Sequence, residues 1–149
     1  PDCPPEPPSS KKNSSGLKAK IEAGACEALT QFFYEADGLL RFRDACADAG
    51  ITAPITPGIL PITNWNSARK FAQKCGAYIP DELAQTFDKA TRDGRLDLLS
   101  VAQCTELCDD LLNEGVSDLH FYTLNRPDLT RDVCHALGVT RSHSIRNVA

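Results

Sequence analysis

Three short apolar segments alternate with longer amphipathic ones, and this alternation limits the possible folds more than any other feature of the chain. Ala28–Phe33 (ALTQFF) is apolar, β-prone and bounded by polar residues, which is typical of a buried parallel strand. A second predicted strand, of three or four residues, runs from Pro54 into Pro57 and stops there, because proline cannot donate to a central ladder. A third is predicted over Leu119–Asn125. Strands that alternate with helices favour a parallel sheet with right-handed crossovers.

End signals and amphipathic periodicity predict the helices. They are predicted from a Ser14 or Ser15 cap over Leu17 to about Ala23, from about Asp37 to Ala49, from an Asn64 or Asn66 cap to Cys75, from Pro80 onward, over Leu96–Asn113, and over Leu129–Leu137. The longest predicted helix carries one apolar stripe, which should be buried. Its members are Leu98, Val101, Cys104, Cys108 and Leu111.

The two ends of the chain differ in composition from its middle. Pro1–Ser15 is rich in proline and serine and predicts a loop or frayed tail. The segment from Thr140 to Ala149 is polar and predicts a second tail. The domain is therefore predicted over residues 16–139.

Charge and hydropathy exclude several classes of function. The 149 residues carry 20 acidic and 16 basic side chains, a formal net charge of −4. This balance offers no basic stripe for nucleic acid and no polybasic anchor for a membrane. No apolar run approaches the roughly 20 residues that a bilayer-spanning helix requires. We therefore expect neither a nucleic-acid partner nor association with a membrane.

Seven cysteines are scattered along the chain without a framework spacing. Cys104 and Cys108 are four residues apart on the longest predicted helix. No CxxC motif or His/Cys cluster completes a four-ligand zinc set, so no metal site is predicted. Buried free thiols in a reducing cytosol are the expectation, and with them a cytoplasmic location.

Three segments, in order, resemble the signature of the methylenetetrahydrofolate reductase family. They are Ala25–Phe33 (ACEALTQFF), Pro57–Asn64 (PGILPITN) and His120–Arg126 (HFYTLNR), and the similarity extends from about Leu17 to Val139. The resemblance implies an α/β fold, the C-terminal part of a (β/α)8 TIM barrel. The chain would supply strands six, seven and eight with their flanking helices, leaving the barrel incomplete.

The resemblance also implies an activity, the reduction of 5,10-methylenetetrahydrofolate to 5-methyltetrahydrofolate. NAD(P)H would pass hydride to FAD, and the reduced flavin would pass it to the folate substrate. A second hypothesis is a non-catalytic fragment or degenerate paralogue that associates with a partner supplying the missing strands, since an open sheet edge invites pairing. That partner would be the missing N-terminal half, or the chain could form a homo-oligomer.

Four residues match positions with known roles in the family. Gln31 matches a glutamine that contacts the folate pterin and the nicotinamide, and Phe71 a phenylalanine that stacks on the ligand. Arg126 matches an arginine that contacts folate, and Lys20 a lysine that holds the flavin phosphates. Structural alternatives stay open: a glutamine that satisfies loop backbone, a core phenylalanine, an ion-paired arginine and a solvated lysine.

Departures from the family pattern accompany these matches. Ser67 stands where a glutamine is usual, and Pro4 where a histidine is usual. The general-acid glutamate and most of the flavin-ring pocket belong to strands outside this sequence, so no catalytic residue is predicted in this portion. His120 is predicted to be a core histidine rather than a catalyst.

Overall fold

The structure is a computed structural model that describes the backbone of residues 10–139 and the side chains from residue 15 onward. Within that range the chain forms six helices and three strands. In order they are α1 (Ser10–Glu22), β1 (Ala28–Phe32), α2 (Ala36–Asp48), β2 (Ile55–Ile59), α3 (Trp65–Cys75), α4 (Asp81–Arg92), α5 (Leu96–Asn113), β3 (His120–Phe121) and α6 (Pro127–Ala136).

The three strands form one parallel sheet in the order β1-β2-β3. Ala28 pairs with Ile55 and Phe32 with Gly58, while Gly58 on its other side pairs with His120. The sheet does not close on itself, so both outer strands keep a free edge within the described part of the chain. The predicted α/β architecture is confirmed, and an open three-stranded parallel sheet is consistent with part of a TIM barrel.

The second strand continues through Pro57, although it was predicted to stop there. The register between β1 and β2 shifts between Leu29 and Phe32, opposite this proline. At that irregularity the amide of Gly58 donates to the Thr30 hydroxyl at 2.9 Å. A bulge in the neighbouring strand thus accommodates a residue that cannot donate to the ladder.

The third strand is shorter than predicted, because the chain turns soon after Phe121. The amide of Tyr122 still donates to the Ile59 carbonyl at 2.8 Å. Leu124 and Asn125 then adopt left-handed backbone conformations, with φ of 48° and 61°. Since such values are incompatible with a strand, Asn125 belongs to a turn that leads into α6.

The first helix begins earlier than predicted. Residues 10–15, assigned from composition to a loop, lie in α1. The last proline before the helix is Pro8, so no proline interrupts the helical hydrogen bonds from Ser10 onward. The remainder of the predicted N-terminal tail, residues 1–9, and the predicted tail from Thr140 to Ala149 lie outside the described residues.

Other helix boundaries follow the local signals in the sequence. The side chain of Asn64 accepts a hydrogen bond from the Ser67 amide at 2.9 Å and so caps α3. Pro80 directly precedes α4, whose first turn holds Asp81 and Glu82. The longest helix, α5, has the predicted bounds.

Two clusters of buried side chains hold the elements together. The first packs α3 and α4 against the ends of β1 and β2; its buried members are Phe32, Tyr34, Leu60, Ile62, Trp65, Ala68, Ala72 and Phe87. The second packs α2, α5 and α6 against the sheet; its buried members are Leu39, Ile59, Cys104, Leu107, Cys108, Leu111 and Val133.

The predicted apolar stripe of α5 is only partly correct. Cys104, Cys108 and Leu111 are buried, but Leu98 is 70% exposed. Ser100, which is polar, takes the buried place in this first part of the helix and donates to the Ile62 carbonyl at 2.6 Å. The face of α5 that is buried at its start therefore differs from the one that periodicity indicated.

Candidate functional site at the carboxyl edge of the sheet

The carboxyl ends of the three parallel strands meet at one edge of the sheet, called here the carboxyl edge. Gln31 is the penultimate residue of β1, and Gly58 is the penultimate residue of β2. Tyr122 directly follows β3. In parallel α/β folds, ligands bind at this edge, since the loops that follow the strands gather there.

Gln31 is exposed at this edge, but one half of its amide is already occupied. Its Oε1 accepts a hydrogen bond from the Phe32 amide at 3.1 Å. Among the described residues no hydrogen-bond partner is present for its Nε2. In this conformation Gln31 therefore offers a ligand a donor, while its acceptor supports the local backbone.

A cavity of about 460 Å³ lies between α1, β1 and α2. Gln31 and Lys20 both line it, together with apolar groups that include Leu17, Phe33 and Phe42. Lys20 is exposed in the last turn of α1 and forms no ion pair within the described part of the chain. The fold thus brings one cation and one amide donor together beside an apolar wall.

Phe71 lies on α3 and stacks on Phe32, with ring centroids 5.2 Å apart and an angle of 18° between the ring planes. Phe32 is only 3% exposed, whereas Phe71 is 42% exposed. Phe32 in turn contacts Tyr34 edge-on, with ring centroids 5.8 Å apart. Phe71 is therefore not a core residue: one part of its surface rests on a buried ring and the remainder faces outward, which suits stacking on a planar ligand.

Arg126 lies in a different cavity, of about 660 Å³, between the starts of α5 and α6. It directly precedes α6, and three carboxylates line the same cavity, those of Asp97, Asp128 and Asp132. Arg126 forms no ion pair among the described residues. The structure thus brings Gln31 and Lys20 to one cavity and places Arg126 in another.

A hydrogen-bond network behind Gln31 was not predicted from the sequence. The Tyr122 hydroxyl donates to the Thr30 carbonyl at 2.9 Å, and the Thr30 hydroxyl donates to the Gln31 carbonyl at 2.9 Å. The same hydroxyl accepts from the Gly58 amide. These residues lie within the three family-like segments, so their presence there was the available signal.

His120 is exposed, so the prediction of a core histidine was wrong. Its ring contacts Tyr122 edge-on, with centroids 4.9 Å apart. Residues of β3 alternate between faces, and Phe121 is the one that packs into the second core cluster. His120 therefore belongs to the opposite face of the sheet.

The buried groups whose pKa is shifted do not line the cavity that Gln31 and Lys20 share. Tyr34 is 6% exposed, and its hydroxyl has no hydrogen-bond partner within residues 10–139. Burial, with a smaller contribution from Cys75, raises the pKa of Tyr34 to about 12. The hydrogen bond with Cys108 and burial together raise the pKa of the Cys104 thiol. These groups are therefore neutral near neutral pH.

The described cysteines are all free. Cys46, Cys104 and Cys108 are buried as expected, while Cys26 is exposed. Within the described range no group of three or more His, Cys, Asp or Glu side chains is arranged to hold a metal ion. Nor is any helix in residues 10–139 long and apolar enough to cross a membrane.

The fold and the site define a class: part of a parallel α/β barrel with polar and aromatic side chains at the carboxyl ends of its strands. The model of the family described as methylenetetrahydrofolate reductase matches residues 1–138. The chain belongs to this family, which confirms the resemblance found in the sequence.

Individual relatives agree with the family match. The chain is 44% identical over 140 residues to the 5,10-methylenetetrahydrofolate reductase of Escherichia coli (strain K12). Identity is 41% to the enzyme of that name from Salmonella typhimurium, and 36% to that from Buchnera aphidicola of Acyrthosiphon pisum. Each match covers 93% of this chain but only 47–48% of the relative. The chain thus spans about half the length of the curated relatives it matches.

Proposed function

We propose that this chain contributes the C-terminal part of the active site of a 5,10-methylenetetrahydrofolate reductase, with 5-methyltetrahydrofolate as the product. The observation that carries the proposal is the shared cavity, in which the amide donor of Gln31 and the cation of Lys20 lie beside an apolar wall. A pterin carries ring carbonyl and nitrogen acceptors for the amide, and a dinucleotide carries phosphates for the cation.

Phe71 would hold a planar ring of substrate or of NAD(P)H. Its ring is supported from below by Phe32 at a centroid distance of 5.2 Å, so little side-chain freedom remains to be lost when a ligand stacks on it. Arg126 is free of ion pairs among the described residues and can pair with a carboxylate of the folate tail. Three aspartates line the same cavity without forming an ion pair with Arg126, and their negative charge would oppose the approach of a carboxylate.

FAD fits these residues only in part. When bound, a flavin supplies hydride transfer between the nicotinamide and the folate. Lys20 would hold one of its phosphates, but the cavity beside Lys20 is lined only by residues of α1, β1 and α2 and by Phe33, along the free edge of β1. The groups that hold the flavin ring must therefore come from outside the described residues. A cytoplasmic location is also part of the proposal, supported by the free thiols.

The experiment completes the barrel. The N-terminal half of the Escherichia coli relative is co-expressed with this chain, and NAD(P)H oxidation is measured with and without 5,10-methylenetetrahydrofolate. We expect folate-dependent oxidation from the complex and none from either half. A complex that forms and remains inactive would contradict the proposal.

The open sheet favours a second candidate function, a non-catalytic chain that binds a partner through its exposed edge. Leu29 in the edge strand β1 is 48% exposed, and Leu124 after β3 is 68% exposed. Exposed apolar side chains beside unpaired strand edges are typical of an interface. In the same experiment this function predicts a stable complex without turnover.

A further inference from the structure

We propose that Tyr122 is a positioning residue for Gln31, acting through the carbonyl of Thr30 on the far side of strand β2. Only the effect of this positioning on folate binding rests on the proposed function. The positioning itself concerns contacts within the chain and can be tested without a ligand.

The Tyr122 side chain crosses strand β2 to reach strand β1. Its backbone amide donates to Ile59 at 2.8 Å, which fixes Tyr122 beside β2. The ring then passes over Gly58, and the hydroxyl reaches the Thr30 carbonyl at 2.9 Å. A Cβ on Gly58 would lie 2.5 Å from Tyr122 Cε2, so only glycine leaves the ring this path. One side chain therefore links the two outer strands.

The pairing of β1 with β2 is not regular around Thr30 and Gln31. The register between β1 and β2 is irregular between Leu29 and Phe32, where Thr30 and Gln31 lie. A bulged residue is free to rotate more than one in a regular ladder. The hydrogen bond from Tyr122 to the Thr30 carbonyl and the one from the Gly58 amide to the Thr30 hydroxyl hold Thr30 at this irregularity.

Thr30 in turn connects to the side chain of Gln31. The Thr30 carbonyl and the Gln31 backbone nitrogen belong to one planar peptide group. A hydrogen bond to that carbonyl oxygen therefore fixes the orientation of the peptide plane that precedes Gln31. The Thr30 hydroxyl also donates to the Gln31 carbonyl at 2.9 Å. With both of its peptide groups held, Gln31 can keep its Oε1 on the Phe32 amide and its Nε2 free to donate.

The experiment is Tyr122→Phe in the 149-residue chain, followed by hydrogen exchange of individual amides measured by NMR. The Phe32 amide reports the Gln31 conformation, because it donates to Gln31 Oε1. The amide of Ala28, at the start of the same strand β1, donates to the Pro54 carbonyl at 2.9 Å and reports general stability. Loss of one neutral hydrogen bond should accelerate Phe32 exchange about five- to tenfold while Ala28 stays within about twofold.

Tyr78→Phe is the matched control, since Tyr78 is 67% exposed and should change neither amide. Exchange at Phe32 that is unchanged in Tyr122→Phe, or accelerated equally with Ala28, would overturn the proposal. A merely structural role for Tyr122 predicts that equal acceleration.

The consequence for folate is measured in the completed barrel. Tyr122→Phe should raise the KM for 5,10-methylenetetrahydrofolate about fivefold, with kcat within about twofold of the parent. An unchanged KM would contradict the link between positioning and ligand. If the parent complex itself lacks activity, the proposed function fails, while the amide exchange still decides whether Tyr122 positions Gln31.

Discussion

Tyr122 and Gly58 fit together so closely that the tyrosine ring occupies the space of a side chain at position 58. Tyr122 Cε2 lies 2.5 Å from the point where a Cβ on Gly58 would stand, and the Thr30 carbonyl oxygen would also clash with that Cβ. Real Cβ atoms do not make such contacts with backbone. Gly58 is therefore required by the close approach of neighbouring strands rather than by an unusual φ.

Gly58→Ala should consequently destabilise the chain by about 1–3 kcal/mol, the usual cost of forcing a methyl group into a packed site. The free energy of unfolding is measured by urea denaturation. Gly38→Ala is the matched control, because a Cβ at position 38 in α2 meets nothing within 4 Å. It should stabilise the helix by about 0.5–1 kcal/mol. Equal stabilities for the Gly58 variant and the parent would contradict the packing described.

Tyr34→Phe should raise the free energy of unfolding by about 1 kcal/mol at neutral pH. The Tyr34 hydroxyl is buried without a hydrogen-bond partner among the described residues, so its removal relieves an unsatisfied polar group. Tyr78→Phe, at an exposed site, should have no measurable effect. Urea denaturation compares the three chains, and a destabilised Tyr34 variant would indicate that the hydroxyl has a partner.

Folding stability should also depend on alkaline pH through Tyr34. The pKa of Tyr34 is raised from 10.0 to about 12, chiefly by burial, so between these values the folded chain keeps a proton that the unfolded chain has lost. Folding stability from this group is present below pH 10 and is lost as the pH rises towards 12. Over that window the parent should lose about 1–3 kcal/mol more than Tyr34→Phe. Equal losses would show that Tyr34 titrates normally.

Thiol reactivity should separate the cysteines by burial. Cys104 is 2% exposed and Cys108 is 0% exposed, so burial should make both resist a thiol reagent at about pH 8 until the chain unfolds, and the raised pKa of Cys104 lowers its reactivity further. Cys26 is exposed and should react within minutes. Mass spectrometry of labelled peptides identifies each site. Rapid native labelling of Cys104 or Cys108, or a disulfide between them, would contradict the packing of α5.

Flavin binding by this chain alone should be weak. Among the described residues Lys20 is the cation proposed for the phosphates, and an exposed ion pair contributes no more than about 1 kcal/mol. A micromolar Kd requires about 8 kcal/mol. The chain mixed with FAD and passed through gel filtration should emerge without absorbance at about 450 nm. A stoichiometric yellow protein would mean that the chain holds the ring by itself.

Gln31→Glu in the completed barrel should lower kcat/KM for folate reduction about 5- to 150-fold. The substitution keeps the size of the side chain but replaces the free Nε2 donor with a carboxylate oxygen, and a lost buried hydrogen bond costs about 1–3 kcal/mol. Flavin content should not change. Gln85→Glu, at an exposed position of α4, is the control. Activity within twofold of the parent would make Gln31 a structural residue.

Local sequence signals determined much of this fold. The Asn64 cap, Pro80 before α4 and the full extent of α5 all depend on neighbours within one or two helical turns, and the structure agrees with them. The order of strands and helices likewise predicted a parallel sheet, because the chain between two parallel strands must cross from one end of the sheet to the other, usually as a helix. The family match identified Gln31, Phe71, Arg126 and Lys20 as candidates.

Contacts between distant segments decided the rest. Pro57 continues a central strand because a bulge in β1 lies opposite it, and no local signal around Pro57 contains that information. Leu98 fits the stripe of its own helix yet is exposed, since burial depends on what packs against each turn. The tertiary structure alone placed Gln31 with Lys20 and apart from Arg126, and brought Tyr122 to Thr30 across 92 positions of sequence. Periodicity reports which residues share a face, whereas the packing of other elements determines what that face meets.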